Sequence, residues 1–296
     1  MNKNCPGCFS EKTTHNKMFS SMLGLVENSN QEVHVCDMCN LKFLSPYFSE
    51  QELDELYSKS YFVDSESSDG SLGAASSEDY EETVASRKTK FLRCIDLLLK
   101  LKPEAKNILD IGAATGSFLN LVKKEKGLNV EGIEISSYAC MEAKEKYNLE
   151  IKNCTLGNYQ NKEKFDLIHM NHVFEHLDDP NESIKRINQL ISDDGLLYIE
   201  IPYQFNFLEV LKYKLTKKQK KYDIFSIHHP IFYTSKTFKS IMNKHGFQVL
   251  YFSNFDKYRY PDESLGQKIK LISWYILSIC KSGNYIEAVL KKNIKA

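Results

Sequence analysis

Four of the eight cysteines fall in two Cys-x-x-Cys pairs, Cys5/Cys8 and Cys36/Cys39. Each pair forms a knuckle that aims two thiolates at one point, and two knuckles supply the four sulfurs of a closed tetrahedral zinc site. With every position taken by protein, such a metal holds structure and offers no place to a reacting molecule. One pair alone would equally read as a redox dithiol, but two pairs favour metal. Cys94, Cys140, Cys154 and Cys280 are scattered singly. The first residues carry no apolar export segment, so the expectation is a reduced, cytoplasmic setting with no disulfides.

A second constellation is Leu109-Asp110-Ile111-Gly112-Ala113-Ala114-Thr115-Gly116, an apolar run that ends in an acid and a Gly-containing turn. Glycines at 112 and 116 let the backbone pass a ligand without a Cβ in the way. The dinucleotide fingerprint needs G-x-G-x-x-G at a helix start, and that spacing is absent. Glu134 ends the next apolar run, where a carboxylate accepts hydrogen bonds from a ribose diol. That acid fits any adenosine-bearing cofactor; Asp110 discriminates. Its charge would repel a pyrophosphate, but it suits the ammonium of a methionine-derived cofactor, reached through the loop and water.

Histidines form the third group. His172, Glu175 and His176 spell H-x-x-E-H, which in inverted zinc peptidases requires a long helix and a further ligand. Asp178-Asp179-Pro180 interrupts that pattern within one turn. Glu175 and His176 then read as a pocket rim, with His176 kept as a catalytic candidate. His228 and His229 precede a helix start at Thr234-Ser235. A histidine near neutrality suits removal of a hydroxyl proton; a core or capping histidine is the competing reading for His229.

These groups need elements to place them. Short strands are expected at Phe19–Val26, Glu32–Val35 and Leu41–Leu44, a short helix after Ser49, and a Ser/Gly/Asp-rich loop over 64–77. A long helix follows at Glu78–Leu101, with Phe91, Ile95 and Leu98 inward and Pro103 beyond its end. From there strand and helix alternate. Apolar strands are expected at 108–111, 130–135, 151–155, 165–170 and 196–201. Helices are expected at 117–126, 136–147, 182–191, 207–215 and 235–244. This alternation implies a parallel sheet covered on both faces.

Asp110-Ile-Gly-Ala-Ala-Thr-Gly116, Gly132-Ile-Glu134 and His172-Val-Phe-Glu-His-Leu-Asp-Asp-Pro180 together resemble class I S-adenosylmethionine-dependent methyltransferases. The resemblance covers about 103–255, with a closing strand at Tyr285–Lys291. It implies an α/β fold: a seven-stranded Rossmann-like sheet with helices on both faces and the last strand inserted beside the sixth. It also implies roles: Asp110, Gly112, Ala114 and Gly116 about the methionine part, Glu134 on the ribose, and Thr155 and Leu156 flanking adenine. Asn171 and His172 would form the pocket floor near the methyl. Ala114 stands where the family usually has its middle glycine. The 228–234 stretch is similar to that of zinc-bearing sugar C-methyltransferases, whose base matches His229; there His228 replaces a Glu and Ser226 a Tyr.

The organisation that follows is a zinc ribbon at 1–45, a helical linker and lid at 46–102, and a methyltransferase domain at 103–296 with a helical insertion at 256–283. Lys+Arg and Asp+Glu both number 39, so net charge is zero, against a protein that holds polyanions by bulk charge. No apolar run approaches the ~20 residues of a membrane span. The expected function is O-methylation of a sugar or nucleotide-linked sugar; the rivals are sugar C-methylation and ribbon-guided RNA methylation. The run Lys217, Lys218, Lys220 and Lys221 reads as a solvated loop or as a contact for a substrate diphosphate. The apolar insertion helix would cover core or a second copy of the chain.

Overall fold

The computed structural model describes residues 4–25, 30–47, 77–217, 229–254 and 283–293, with the backbone alone over 77–87. The amino-terminal part has β1 (Thr13–His15), helix α1 (Lys17–Met22), β2 (Glu32–Cys36) and β3 (Lys42–Ser45). Then come α2 (Ser77–Leu101), β4 (Asn107–Ile111), α3 (Ser117–Lys126), β5 (Asn129–Glu134), α4 (Ser137–Tyr147) and β6 (Ile151–Asn153). The rest is β7 (Phe165–Asn171), α5 (Pro180–Leu190), β8 (Ile191–Pro202), α6 (Phe207–Thr216), β9 (Ile231–Phe232), α7 (Ser235–Lys244), β10 (Phe247–Ser253) and β11 (Tyr285–Lys292).

Seven strands form one sheet in the order β10-β11-β8-β7-β4-β5-β6. β4, β5, β6, β7 and β8 run parallel, and β11 is antiparallel to both β8 and β10. The central strands are apolar runs because both faces are covered: Ile108, Leu109, Leu167, Ile168 and Met170 have no exposed surface. On one face pack Phe91, Ile95 and Leu98 of α2, with Phe118 and Val122 of α3. On the other pack Ile184 and Ile187 of α5, with Phe238 and Met242 of α7. The sheet and its inserted last strand are as expected.

The amino-terminal segment differs from expectation. Residues 17–22 are helical, not a strand: Asn16 caps Phe19, and Phe19, Met22 and Leu23 are buried at helical spacing. The strand lies earlier, where Thr13–His15 pairs with Cys36–His34. β1, β2 and β3 are joined by β9 in a four-stranded sheet, so residues from far along the chain complete the cysteine-bearing element. Cys5, Cys36, Leu41 and Phe43 belong to the same core as the α5 and α7 side chains. The helix after Ser49, the loop at 64–77 but for Ser77, Lys218–Lys221 and the insertion at 256–283 but for Gly283 lie outside the described residues.

Candidate functional site

In an open parallel sheet, ligands settle beyond the carboxyl ends of the strands where the crossovers change direction. Here β4 leads one way to β5 and β6, while β7 leads the other way to β8. The loops after β4 and β7 therefore flank the natural crevice. Gly112 (φ +74°) and Gly116 (φ +76°) take the left-handed backbone that glycine adopts without cost. A Cβ at Gly112 would come 2.3 Å from Val173 Cγ2, so the two loops touch with no room for a side chain. Gly112→Ala should therefore cost about 1–2 kcal/mol in backbone strain alone, plus the displacement of Val173. The expected result is a melting temperature about 2–4 °C lower per kcal/mol; an unchanged melting curve would contradict it.

Ala114 also adopts a left-handed conformation (φ +47°). Its amide donates to Glu134 Oε2 at 3.0 Å, and the Ser136 amide donates to Oε1 at 3.0 Å. Glu134 is thus held against the glycine loop at the end of β5. Burial pushes its carboxyl upward in pKa, against the pull of the amides. Asp110 lies deeper: its Oδ1 is 2.7 Å from His169 Nδ1, and both are buried. The His169 ring stacks on Phe118 at 3.9 Å. Past β6, Thr155 is exposed and Leu156 buried, while the neighbouring Cys154 amide donates to the Glu134 carbonyl.

The opposite wall begins at Asn171, whose buried Oδ1 has no hydrogen-bond partner. His172 follows with φ +55°, its ring between two carboxylates: Nδ1 is 3.3 Å from Glu175 Oε1 and Nε2 is 3.3 Å from Glu200 Oε1. Burial works against its charged form, but the two carboxylates outweigh it and raise the pKa. Next, the rings of His176 and His229 meet edge to face with centroids 4.6 Å apart. His229 is 4% exposed, and its Nδ1 lies 2.6 Å from Gln204 Oε1. Glu175, His176 and His229 each offer a ligand atom within 4.8 Å of the others. His228 lies outside the described residues.

A network absent from the sequence reading supports this wall. Lys90 on α2 reaches Glu200 at 2.5 Å, and Arg93 pairs with Glu287. Glu287 faces Glu200 in the β8–β11 register, and Tyr198 donates to both carboxylates. The visible signal was an acid in each of two otherwise apolar strands. Burial alone would raise the Glu200 pKa, but Lys90 and His172 hold it well below the carboxylate range. A depressed acid contributes stability above its ordinary value near 4.5 and loses it as pH falls through the folded value. A raised histidine contributes below about 6.5 and loses it as pH rises. The network therefore stabilises most between those values. Lys90→Met, which strands a buried carboxylate, should cost about 3–5 kcal/mol near pH 6. Melting curves against pH check this, since the gap to wild type should close on acidification.

The four amino-terminal cysteines do converge. Cys5 and Cys39 sulfurs are 3.5 Å apart, as are those of Cys8 and Cys36, and all four lie within 4.8 Å. Hydrogen bonding between Cys5 and Cys39 pulls the Cys39 thiol down to about 5 and pushes Cys5 up. Such a donor set fits a thiophilic ion. The knuckle is tied to the large sheet: buried Asn181 donates to the Pro6 carbonyl at 2.6 Å, and Lys244 reaches Asn181 at 3.1 Å. The Leu44 amide donates to the Pro230 carbonyl at 2.9 Å, which fixes the strand beside His229.

A family model described as a methyltransferase domain matches residues 84–251, more than half of the chain. Among solved structures, the plantazolicin methyltransferase BpumL in complex with SAH is 17% identical, with a TM-score of 0.50. That likeness covers 82% of this chain and 98% of that one. A SAM dependent methyltransferase from Archaeoglobus fulgidus is 18% identical, with a TM-score of 0.50 over 71% of this chain and 94% of that one. At such identity the likeness speaks for the fold. No curated protein matches the chain in sequence. No helix among the described residues is long and apolar enough to cross a membrane.

Proposed function

The chain belongs to the methyltransferase-domain family, and on that premise we propose that it moves a methyl group from S-adenosylmethionine to a hydroxyl of a sugar or nucleotide-linked sugar. One observation supports the reading: the glycine loop follows β4, Glu134 ends β5 and the histidine segment follows β7, so all three stand at the carboxyl end of the sheet about the point where the crossovers reverse. The cofactor supplies a methyl already activated on a sulfonium sulfur. The left-handed turns at Gly112 and Gly116 shape the loop whose backbone would face its amino-acid part, and Glu134 would accept from its ribose hydroxyls. Asp110 steadies the loop from beneath through His169.

Transfer then needs alignment, exclusion of water and a way to take the acceptor proton. That last task falls to the His176–His229 pair, with His229 oriented by Gln204. The sugar acceptor rests on the likeness of the ribbon-led sequence to methyltransferases of sugar modification. The four thiolates would hold a structural zinc ion that clamps β3 onto the strand after His229. Cys36→Ser should cut zinc content, lower the melting temperature and weaken turnover together. Turnover that persists after stoichiometric loss of zinc would separate the thiol site from activity.

The decisive experiment incubates a pool of nucleotide-linked sugars with methyl-labelled S-adenosylmethionine and analyses the products by mass spectrometry. Label on an oxygen of a sugar supports the reading. A methyl on carbon refutes O-transfer, and label only on added RNA refutes the sugar class.

A further inference from the structure

Glu175 is 1% exposed, and neither of its carboxylate oxygens has a hydrogen-bond partner. His172 Nδ1 lies 3.3 Å from Oε1, and no ion pair among the described residues reaches Oε2. Leaving a buried carboxylate so little compensated costs several kcal/mol, which a nearby cation would recover. Two imidazoles stand beside it, with ligand atoms of Glu175, His176 and His229 all within 4.8 Å of one another. The Gln204 carbonyl oxygen, 2.6 Å from His229 Nδ1, fixes that nitrogen as the protonated one and leaves Nε2 with a lone pair. This is the outer hydrogen bond that metal-binding histidines usually make.

We infer that Glu175, His176 and His229 form a second metal site, distinct from the four thiolates, for a divalent ion of the zinc, cobalt or manganese kind. Two imidazoles and one carboxylate suit such ions, and three protein ligands leave a coordination position open. In a tetrahedral site, ligand atoms sit ~3.4 Å apart for bonds of ~2.0–2.1 Å, so small side-chain rotations close the present spacing. Glu175 and His176 follow β7, at the same carboxyl end of the sheet as the glycine loop after the parallel β4. This inference rests on the methyl-transfer reading for its purpose. An acceptor hydroxyl bound there would release its proton to water more readily, as metal-bound water does. The oxygen–carbon bond forms as the carbon–sulfur bond breaks, and the electron pair stays on sulfur. With the ion in place His229 is a ligand and water takes the proton; in a chain without the ion the imidazole is the base.

The test adds Co²⁺ to full-length protein whose thiol site already holds zinc, and follows absorption and stoichiometry. The expected result is one Co²⁺ per chain with weak visible bands and without the intense near-ultraviolet bands of cobalt–thiolate bonds. Glu175→Ala and His229→Ala should abolish those bands. Gln204→Ala, the milder change, should weaken Co²⁺ binding about 10–100-fold. Wild type that takes up no further ion overturns the inference, as do bands that persist in both ligand variants. Calorimetry with S-adenosylhomocysteine runs alongside: if wild type fails to bind it, the cofactor reading falls while the cobalt result stands by itself.

Discussion

Replacing His229 by alanine should lower kcat about 10²–10⁴-fold, the usual size of the effect when a proton-accepting group is lost. S-adenosylhomocysteine binding should stay close to wild type, because the ring is engaged by Gln204 and His176, neither of them a residue proposed to hold the cofactor. The ring sits at the end of the opposite wall, buried, with Gln204 on one nitrogen and His176 against its edge. His229→Asn is the sharper variant. Its amide can still meet Gln204, so packing is largely kept, but it cannot accept a proton at neutral pH. Both variants should be equally slow, whether the imidazole works as a base or by holding an ion. Steady-state rates with calorimetry for the cofactor product decide the matter. A kcat within a few-fold of wild type in His229→Asn would remove this residue from the chemistry.

The sheet was legible because parallel strands buried on both faces are written as unbroken apolar runs. Ile108–Ile111 and Phe165–Met170 announce themselves in that way, and helices α3 and α7 fall where their periodicity puts them. The cysteine cluster was legible from spacing alone, and the structure brings the four sulfurs together. Residues 19–26 misled because a short apolar stretch carries no clear period; burial at 19, 22 and 23 shows the helical one. The Lys90–Glu200 and Arg93–Glu287 pairs could not be read from pattern. They join residues more than a hundred positions apart, and only the β8–β11 register makes the two acids neighbours. For the same reason β9 as a strand of the cysteine-bearing sheet had no local signal: two residues gain it only by pairing with Lys42 and Phe43.

Glu134→Ala should weaken S-adenosylhomocysteine binding about 10²–10⁴-fold. Hydrogen bonds to a charged acceptor are worth about 1.5–3 kcal/mol each, and a ribose diol makes two of them. The same change frees the Ala114 and Ser136 amides, which now donate to the carboxylate at 3.0 Å, so the loop loses part of its shape as well. Glu134→Gln separates these contributions. It keeps an acceptor for one amide and one hydroxyl, and should cost only about tenfold in affinity. The pH dependence carries a second mark. Burial raises the Glu134 pKa above its ordinary value near 4.5, so protonation begins at higher pH than for an exposed glutamate. Affinity in wild type should therefore decline on mild acidification, while Glu134→Gln, with no proton to gain there, should show a flat profile. Calorimetric titrations of the three proteins across that range distinguish a ribose-binding carboxylate from one that merely braces the loop, for which alanine would lower the melting temperature and leave the profile of the bound cofactor product unchanged.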